Sequence, residues 1–278
     1  MITIIWQINK ENSWECDWIE HLFQKTTHKT ITDYNQTQFI DRSYIVYNAG
    51  VNNDAYINAL SKSGKKFGLI HLSDEWDKDS TVNYSLADVV LRNYYKDLGP
   101  KIINFPLGWM TSFPHTISPK PISGRKYLWS FSGHVDKTTR PMMAEYMSKI
   151  PGGISYFKKC GENWGPFQGH ALTPTQLAEM YNDSVFVPCP QGNQSIDSFR
   201  VTEALQVGAL PIVERSEYWT KLFGQDHPLI EIDSWEQAPN LIANLTQDHA
   251  LLEQKRYATY TWWIKYCDNL QNTIKGLL

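Results

Sequence analysis

The chain has no long hydrophobic run: in its 278 residues, no stretch reaches the roughly 18 apolar residues that a membrane-spanning helix needs. The N-terminal run Ile2–Trp6 is short and is not preceded by a basic segment, so it predicts a first strand rather than a signal peptide. We therefore expect a cytoplasmic protein. An association with the inner membrane surface through a partner stays open.

Cysteine and net charge are also scarce. The four cysteines, Cys16, Cys160, Cys189 and Cys267, lack the close spacing of a zinc site, which favours buried thiols in a reducing compartment over disulfides. The net charge is only −3, so no basic field attracts nucleic acid, and we expect no nucleic-acid partner. Aromatic residues are abundant, with 11 Trp and 15 Tyr. They fit either a Trp-rich core or rings that stack on sugars or bases.

Short apolar runs alternate with helical patterns along the chain, which is typical of parallel sheets covered by helices on both faces. The runs that predict strands are Ile2–Trp6, Ser43–Tyr47, Lys66–Leu72, Ala87–Leu91, Ile102–Phe105, Tyr127–Phe131, Ser155–Phe157, Ser184–Pro188 and Ala209–Val213.

One break interrupts this pattern. Residues 112–125, SFPHTISPKPISGR, contain three prolines and a glycine, which is linker composition, and the alternation restarts after them. The fold class that we predict is α/β, with two Rossmann-like domains facing a central cleft. The predicted domains are residues 1–115 and 116–278, with the C-terminal helix free to pack back on the first domain.

The segment PCPQGNQSIDSFRVTEAL, residues 188–205, links a predicted strand to a predicted helix that begins near Asp197 and is capped by Ser195 or Asp197. Such a helix starts at the carboxyl end of a strand, where open α/β sheets bind ligands and helix N–H groups favour phosphate. Gly192 lets the loop approach a ligand, Arg200 suits a diphosphate, and Glu203 suits the hydroxyls of a ribose. An N-capped helix with an exposed Arg–Glu pair explains the residues equally well.

The same region carries a resemblance. Residues 186–213, FVPCPQGNQSIDSFRVTEALQVGALPIV, resemble the nucleotide-sugar motif of exostosin-like glycosyltransferases. Four other segments resemble that family in the same order: GLIHLSDEW (68–76), DVVLRNYY (88–95), FPLGW (105–109) and WSFSGHVDKTTR (129–140). The resemblance implies a GT-B fold, donor binding by the C-terminal half and a metal-independent, mostly inverting reaction. It also implies that Arg200 meets the diphosphate and Glu203 the ribose.

Other donor-binding candidates follow predicted strands or lie in the loop of residues 189–198, although each could equally be an ordinary loop or surface residue. They are Arg92, Ser132, Gly133, His134, Arg140, Gly192, Asn193, Ser195 and Ser198.

An inverting transfer needs a base that deprotonates the acceptor hydroxyl. Asp74 is the first candidate, Glu75 the second and His71 the third, because they end a predicted strand; the alternative is that they cap or fix the next loop. Asp77-Lys78-Asp79 spells the DxD metal signature of another glycosyltransferase fold, and we interpret it as a chance match.

The sequence therefore predicts an inverting GT-B glycosyltransferase, moving a hexose or pentose from a nucleotide-diphosphate sugar, preferably a UDP-sugar. The acceptor expected is a saccharide or glycolipid of a surface polysaccharide or lipopolysaccharide. No metal or other cofactor is expected, because the nucleotide sugar is a substrate. A non-catalytic nucleotide- or sugar-binding module and a retaining transferase are the alternatives.

Overall fold

A computed structural model describes residues 1–10, 13–32, 38–51, 53–158 and 172–278. The chain divides into two compact units. Unit 1 comprises Met1–Leu107 with Cys267–Leu278, and unit 2 comprises Gly108–Tyr266. Three of the cysteines are buried free thiols, whereas Cys160 lies outside the described residues. In the described part of the chain, no helix is long and apolar enough to cross a membrane.

Unit 1 is built on a parallel sheet of six strands in the order β2-β1-β3-β4-β5-β6. The strands are β1 Ile2–Trp6, β2 His28–Ile31, β3 Ser43–Asn48, β4 Phe67–Leu72, β5 Val89–Arg92 and β6 Ile102–Asn104. Its helices include α1 Cys16–Leu22 and α2 Asp54–Lys62. Strands β1 and β4 are buried at every position, because helices cover both faces of such a sheet.

Unit 2 is built on a parallel sheet of five strands in the order β11-β10-β9-β7-β8. The strands are β7 Tyr127–His134, β8 Gly153–Lys158, β9 Ser184–Cys189, β10 Leu210–Glu214 and β11 Ile230–Ile232. The helices are α3 Arg140–Ser148, α4 Pro174–Asn182, α5 Phe199–Gln206, α6 Glu217–Phe223, α7 Ala238–Leu245 and α8 His249–Lys275, whose last residues belong to unit 1.

The strand orders place a topological switch point in each sheet. From β1 the chain moves outward to β2 and then returns to β3, so the switch in unit 1 lies between β1 and β3. In unit 2 the chain moves from β7 to β8 and returns to β9, so the switch lies between β7 and β9. Open α/β sheets bind ligands beyond the carboxyl ends of the strands at such points.

The Pro-rich segment of residues 112–125 belongs to unit 2. Phe113 and Ile122 are buried there, and the Ile122 N–H donates to a carboxylate oxygen of Glu253 at 2.8 Å. Two apolar side chains and a charged hydrogen bond therefore anchor a segment whose composition alone predicts a linker.

Candidate functional site

The site candidates of unit 2 gather where β7 and β9 end. Arg200, near the start of α5, donates from Nη2 to the carbonyl oxygen of Ser132 at 3.1 Å. Its guanidinium carbon lies 4.7 Å from the centre of the Phe131 ring, a cation–π contact. Because Ser132 lies near the end of β7 and Arg200 follows β9, the guanidinium lies at the switch point of this sheet.

Gly133 makes room for that guanidinium. Its φ of +146° is one that side chains rarely adopt, and a Cβ built on it would lie 2.2 Å from Arg200 Nη2. Any larger residue at this position would push the guanidinium away from the end of β7.

The loop of residues 190–198 is fixed by hydrogen bonds from the β7–α3 loop. The buried Arg140 donates to Gln191 O at 3.1 Å and to His134 O at 3.3 Å. The Gly192 N–H donates to Ser195 O at 2.9 Å, and Lys137 donates to Asn193 Oδ1 at 2.9 Å. Arg140 therefore holds the loops together, while the exposed Asn193 lies at the rim.

The helix that follows this loop begins later than predicted. Neither Ser195 nor Asp197 is its N-cap: α5 begins at Phe199 after the extended Ser198, and no side-chain hydrogen bond caps it. The reason is that Ser195 Oγ accepts from the Asp197 N–H at 3.1 Å, while Asp197 Oδ2 accepts from the Tyr218 hydroxyl at 3.0 Å. The buried Ser198 hydroxyl has no partner among the described residues.

Glu203 lies one turn further along α5 and is buried. Burial raises the pKa of its carboxyl to about 7, although a backbone hydrogen bond and the charge of Arg200 act against that rise. The hydrogen bond comes from the Met110 N–H at 3.3 Å. An exposed Arg200–Glu203 ion pair, the simpler interpretation of the sequence, is wrong because the carboxyl is buried.

His134, at the end of β7, is half-buried, and its pKa is lowered by burial and by the charge of Lys137. A neutral imidazole at this position keeps one N–H donor and one acceptor. In the ligand-free protein it therefore offers a diphosphate an N–H donor, and a bound phosphate would oppose the lowering of its pKa.

The site candidates of unit 1 lie at the carboxyl ends of β4 and β5, around the buried Arg92. Its Nη2 donates to Asp74 Oδ2 at 2.9 Å, its Nη1 donates to the Tyr84 hydroxyl at 2.8 Å, and its Nε donates to Tyr94 O at 3.2 Å. This guanidinium therefore binds groups of its own unit.

The contacts of His71 fix its tautomer. Nδ1 lies 3.0 Å from Arg92 Nη1, which can only donate, so Nδ1 accepts and the proton is on Nε2. Nε2 then donates to Asp79 Oδ2 at 2.9 Å. Burial lowers the pKa of His71 and the charge of Arg92 lowers it further. Both ring nitrogens are thus engaged.

The predicted bases differ in their surroundings. Burial acts to raise the pKa of Asp74, but hydrogen bonds from Arg92 and from the Lys78 N–H outweigh it and lower that pKa. A carboxylate stabilised in this way is a weak base. Glu75 is half-buried in the next position of the loop.

Among the described residues, one set of side chains has atoms close enough for a metal ion: His71, Asp74 and Asp79 offer ligand atoms within 4.8 Å of one another. The guanidinium of Arg92 contacts two of the three, so a fixed cation already balances their charge. In the DxD match, Asp77 binds Lys96, and Asp79 accepts from the Gly50 N–H at 3.0 Å and from His71.

A second cluster in unit 1 contains a carboxyl that the sequence analysis missed. Glu15, just before α1, is buried, and its Oε1 accepts from Ser73 Oγ at 2.6 Å and from Asn93 Nδ2 at 3.2 Å. Burial raises the pKa of Glu15, and these hydrogen bonds only partly oppose the rise. Its one sequence signal is its place in the loop after the first strand.

Two large aromatic side chains that are close in sequence to this cluster are exposed. Trp14 precedes Glu15 and is 46% exposed, and Trp76 follows Ser73 by three residues and is 55% exposed. Most of the other described tryptophans lie in the core, where Trp6, Trp18 and Trp109, for example, are fully buried. Among the described residues, tryptophan therefore lies mostly in the core, and Trp14 and Trp76 are the exposed exceptions.

Comparisons with known proteins identify the fold to which this architecture corresponds. No family profile and no curated protein sequence matches the chain. Among solved structures, it is similar to an α1,3-fucosyltransferase, with a TM-score of 0.53, 11% identity and coverage of 98% of this chain and 90% of that one. It is also similar to an α-glucosyltransferase in complex with UDP-glucose and abasic-site DNA, with a TM-score of 0.58, 14% identity and coverage of 99% and 98%.

A third similar structure is the sucrose-phosphate synthase of Thermosynechococcus elongatus, with a TM-score of 0.59, 9% identity and coverage of 100% and 98%. At such identities, similarity over the whole chain shows the fold. The protein has the GT-B fold, with two parallel-sheet α/β domains, and the predicted fold class is confirmed. The exostosin-like resemblance stays a prediction.

Proposed function

We propose that the protein is a glycosyltransferase that moves a sugar from a nucleotide-diphosphate sugar to a saccharide acceptor, with inversion and without a metal. The single observation that carries this proposal is the pairing of Arg200 with Gly133 across the switch point of unit 2. A guanidinium held at that place, beside a glycine that leaves it space, suits the negative charge of a diphosphate.

The donor is proposed to be a UDP-sugar bound by unit 2. Arg200 and the Ser198 hydroxyl bind the diphosphate at the start of α5, and the loop of residues 190–198 surrounds it. Glu203, which is 1% exposed, accepts hydrogen bonds from the ribose hydroxyls once donor binding opens a path to it, since a buried carboxyl with one long backbone hydrogen bond keeps acceptor capacity. The α-glucosyltransferases of the same fold were solved with UDP-glucose and with UDP.

The acceptor is proposed to be a saccharide bound by unit 1, either free or as part of a glycolipid or surface polysaccharide. The exposed rings of Trp14 and Trp76 offer faces on which a sugar ring stacks, although the Lys78 ammonium lies over one face of Trp76, 5.0 Å from the ring centre. A DNA acceptor is less favoured: although similar glucosyltransferases were solved with DNA, the net charge of this chain is −3, which repels a polyanion.

The leaving diphosphate is proposed to be stabilised by Arg200 and by N–H groups at the start of α5 instead of a metal ion. Donors aimed at the oxygen on which charge develops lower the barrier without reorganising in the transition state. Transfer should therefore continue in the presence of EDTA.

Donor binding is tested by thermal unfolding with UDP, GDP and CMP, because a ligand that binds only the folded state raises Tm by mass action. UDP should raise Tm, and Arg200→Ala should weaken UDP binding by about 10- to 100-fold, the loss of one or two charge-assisted hydrogen bonds. Arg215→Ala is the matched control, since that arginine is 61% exposed and pairs with Glu231 and Asp233. Equal UDP affinity in the Arg200→Ala variant and the control would contradict the donor assignment.

Transfer is tested by UDP release from UDP-sugars, with methyl glycosides, oligosaccharides and hydroxymethylated DNA offered as acceptors. A saccharide product whose anomeric configuration is opposite to that of the donor supports the proposal. Retention of configuration overturns the proposed inversion. Modification of DNA alone overturns the proposed saccharide acceptor. UDP binding without any transfer shows a non-catalytic binding module.

A further inference from the structure

Glu15 lies beyond the carboxyl ends of β4 and β5, because its carboxylate accepts hydrogen bonds from Ser73 and Asn93, which directly follow these strands. A ligand beyond the carboxyl ends of these strands therefore meets the loop that contains Glu15. The side chain is only 1% exposed, so a ligand reaches it through a neighbouring group.

That neighbour is Ser73, which is half-buried at the end of β4. Ser73 has a φ of +63°, in the left-handed region that a non-glycine residue rarely occupies. Its N–H donates to Asn93 Oδ1 at 2.9 Å, and its Oγ donates to Glu15 Oε1 at 2.6 Å. Asn93 also donates to Glu15, so residues that follow β1, β4 and β5 form one closed network. The strained backbone of Ser73 is thus held so that its hydroxyl points at Glu15.

The Glu15 carboxyl differs in its hydrogen-bond and ion-pair partners from the aspartates in the loop that follows β4. In the described part of the chain, its hydrogen bonds come from Ser13, Ser73 and Asn93, which are all neutral. Asp74, Asp77 and Asp79 contact Arg92, Lys96 or His71 instead. Burial without a cation raises the pKa of Glu15, and a base is more effective when its pKa approaches the working pH.

We propose that Ser73 and Glu15 together accept the proton of the acceptor hydroxyl during sugar transfer, an inference that rests on the proposed function. The acceptor hydroxyl donates to Ser73 Oγ. As its oxygen bonds to the anomeric carbon, the bond from that carbon to the diphosphate oxygen breaks, and the electron pair leaves with the diphosphate. The acceptor proton passes to Ser73 Oγ while the Ser73 proton passes to Glu15 Oε1. Glu15 then releases that proton to solvent, which restores the pair.

In this scheme Ser73 is the catalytic residue, and Glu15 acts through it. The residues predicted from sequence, Asp74 and His71, instead orient the loop through Arg92. The exposed rings of Trp14 and Trp76 flank the network in sequence, next to the place where the acceptor sugar would be.

The experiment uses the full chain, UDP-glucose, UDP-galactose and UDP-N-acetylglucosamine as donors, and methyl glycosides as acceptors. For any pair that the wild-type protein uses, Glu15→Gln should lower kcat by at least about 100-fold, with KM for the donor and the affinity for UDP unchanged. The acidic limb of the kcat–pH profile should disappear. Ser73→Gly should lower kcat similarly, because glycine keeps the left-handed backbone and lacks the hydroxyl, and Glu15→Asp should retain part of the activity.

Glu20→Gln is the matched control, because Glu20 is a half-buried carboxylate of α1 that binds Lys10 and His28; its kcat and pH profile should stay as in the wild type. A wild-type kcat and pH profile in Glu15→Gln overturns the inference while the proposed function stands. If Glu15→Gln does not fold, Ser73→Gly decides, and a wild-type kcat in that variant overturns the inference as well. A wild-type protein that transfers from no donor overturns the proposed function itself.

Discussion

Glu203 carries an ionisable carboxyl that is buried, and this should make the stability of the protein depend on pH. Its pKa rises from 4.5 to about 7 on folding, so between these values the native state holds a proton that the unfolded state has lost. The resulting stability is fully present below pH 4.5 and is lost as the pH rises through 7. We expect the free energy of unfolding to fall by about 3 kcal/mol from pH 5 to pH 8 on account of this group.

The measurement is urea unfolding of the wild type and of Glu203→Gln at both pH values. The contribution of Glu203 is the difference between the two proteins, since histidines with lowered pKa values act in the opposite direction. Glu179→Gln, which alters an exposed carboxylate of α4, should follow the wild type. If the difference between wild type and Glu203→Gln is the same at pH 5 and pH 8, the carboxyl is already ionised at pH 5.

Sequence reasoning at the residue scale found groups whose chemistry is local and missed groups made by tertiary contacts. Arg200, Gly133 and Glu203 stand beside a recognisable strand–loop–helix pattern, so their neighbourhood could be predicted. Glu15 could not be, because the hydrogen bonds that hold it come from Ser73 and Asn93, which are more than 50 residues away.

At the scale of elements, strands with apolar runs were predictable, including the edge strands β6 and β8, whereas the edge strands β2 and β11 were not predicted. Strand β1 has the predicted bounds, and β9 extends one residue beyond the prediction. In contrast, β2, with the sequence HKTI, is half-exposed and carries a lysine, so it has no apolar signature. The start of α5 was misplaced because Asp197, a good capping residue, contacts the Tyr218 hydroxyl of α6 instead.

Arg125 is the residue through which several elements of unit 2 are connected. Its guanidinium donates to the carbonyl oxygens of Ser184 at 2.7 Å and Gly208 at 2.8 Å, which follow α4 and α5. It also donates to the carbonyl oxygens of Lys120, Tyr181 and Val207. Burial, with the nearby charge of Arg256, lowers its pKa to about 9, so it stays a cation at neutral pH.

Arg125→Met should therefore lower the free energy of unfolding by about 3 kcal/mol or more, since several buried carbonyl groups lose their donor. Arg125→Lys should recover only part of this, because an ammonium cannot match the planar fork of five N–H groups. Urea unfolding measures both, with the exposed Arg215→Met as the control. Equal stability of Arg125→Met and the wild type would show that water replaces the guanidinium.

At the scale of the whole molecule, the chain returns to its first unit at the end. Residues 267–278 belong to unit 1, where Leu270 and Ile274 are buried and Gln271 donates to His21 O at 2.8 Å. The rest of α8 belongs to unit 2. The sequence pattern predicted two restarted α/β halves, but only tertiary contacts assign the last helical turns to one of them.

Removing residues 267–278 should therefore destabilise unit 1 and leave unit 2 folded. The loss of three buried side chains, Cys267, Leu270 and Ile274, should cost about 5 kcal/mol, which is comparable to the whole stability of a domain. In hydrogen exchange, peptides from residues 1–107 should lose protection, whereas peptides from residues 172–266 keep it.

The double variant Asp268→Ala, Asn272→Ala is the control, because it removes only exposed contacts to Lys25 and should leave both units protected. Because we propose that the donor binds unit 2, UDP should still slow exchange near residues 190–206 of the shortened chain. Uniform loss of protection in both units would show that they unfold as one cooperative body.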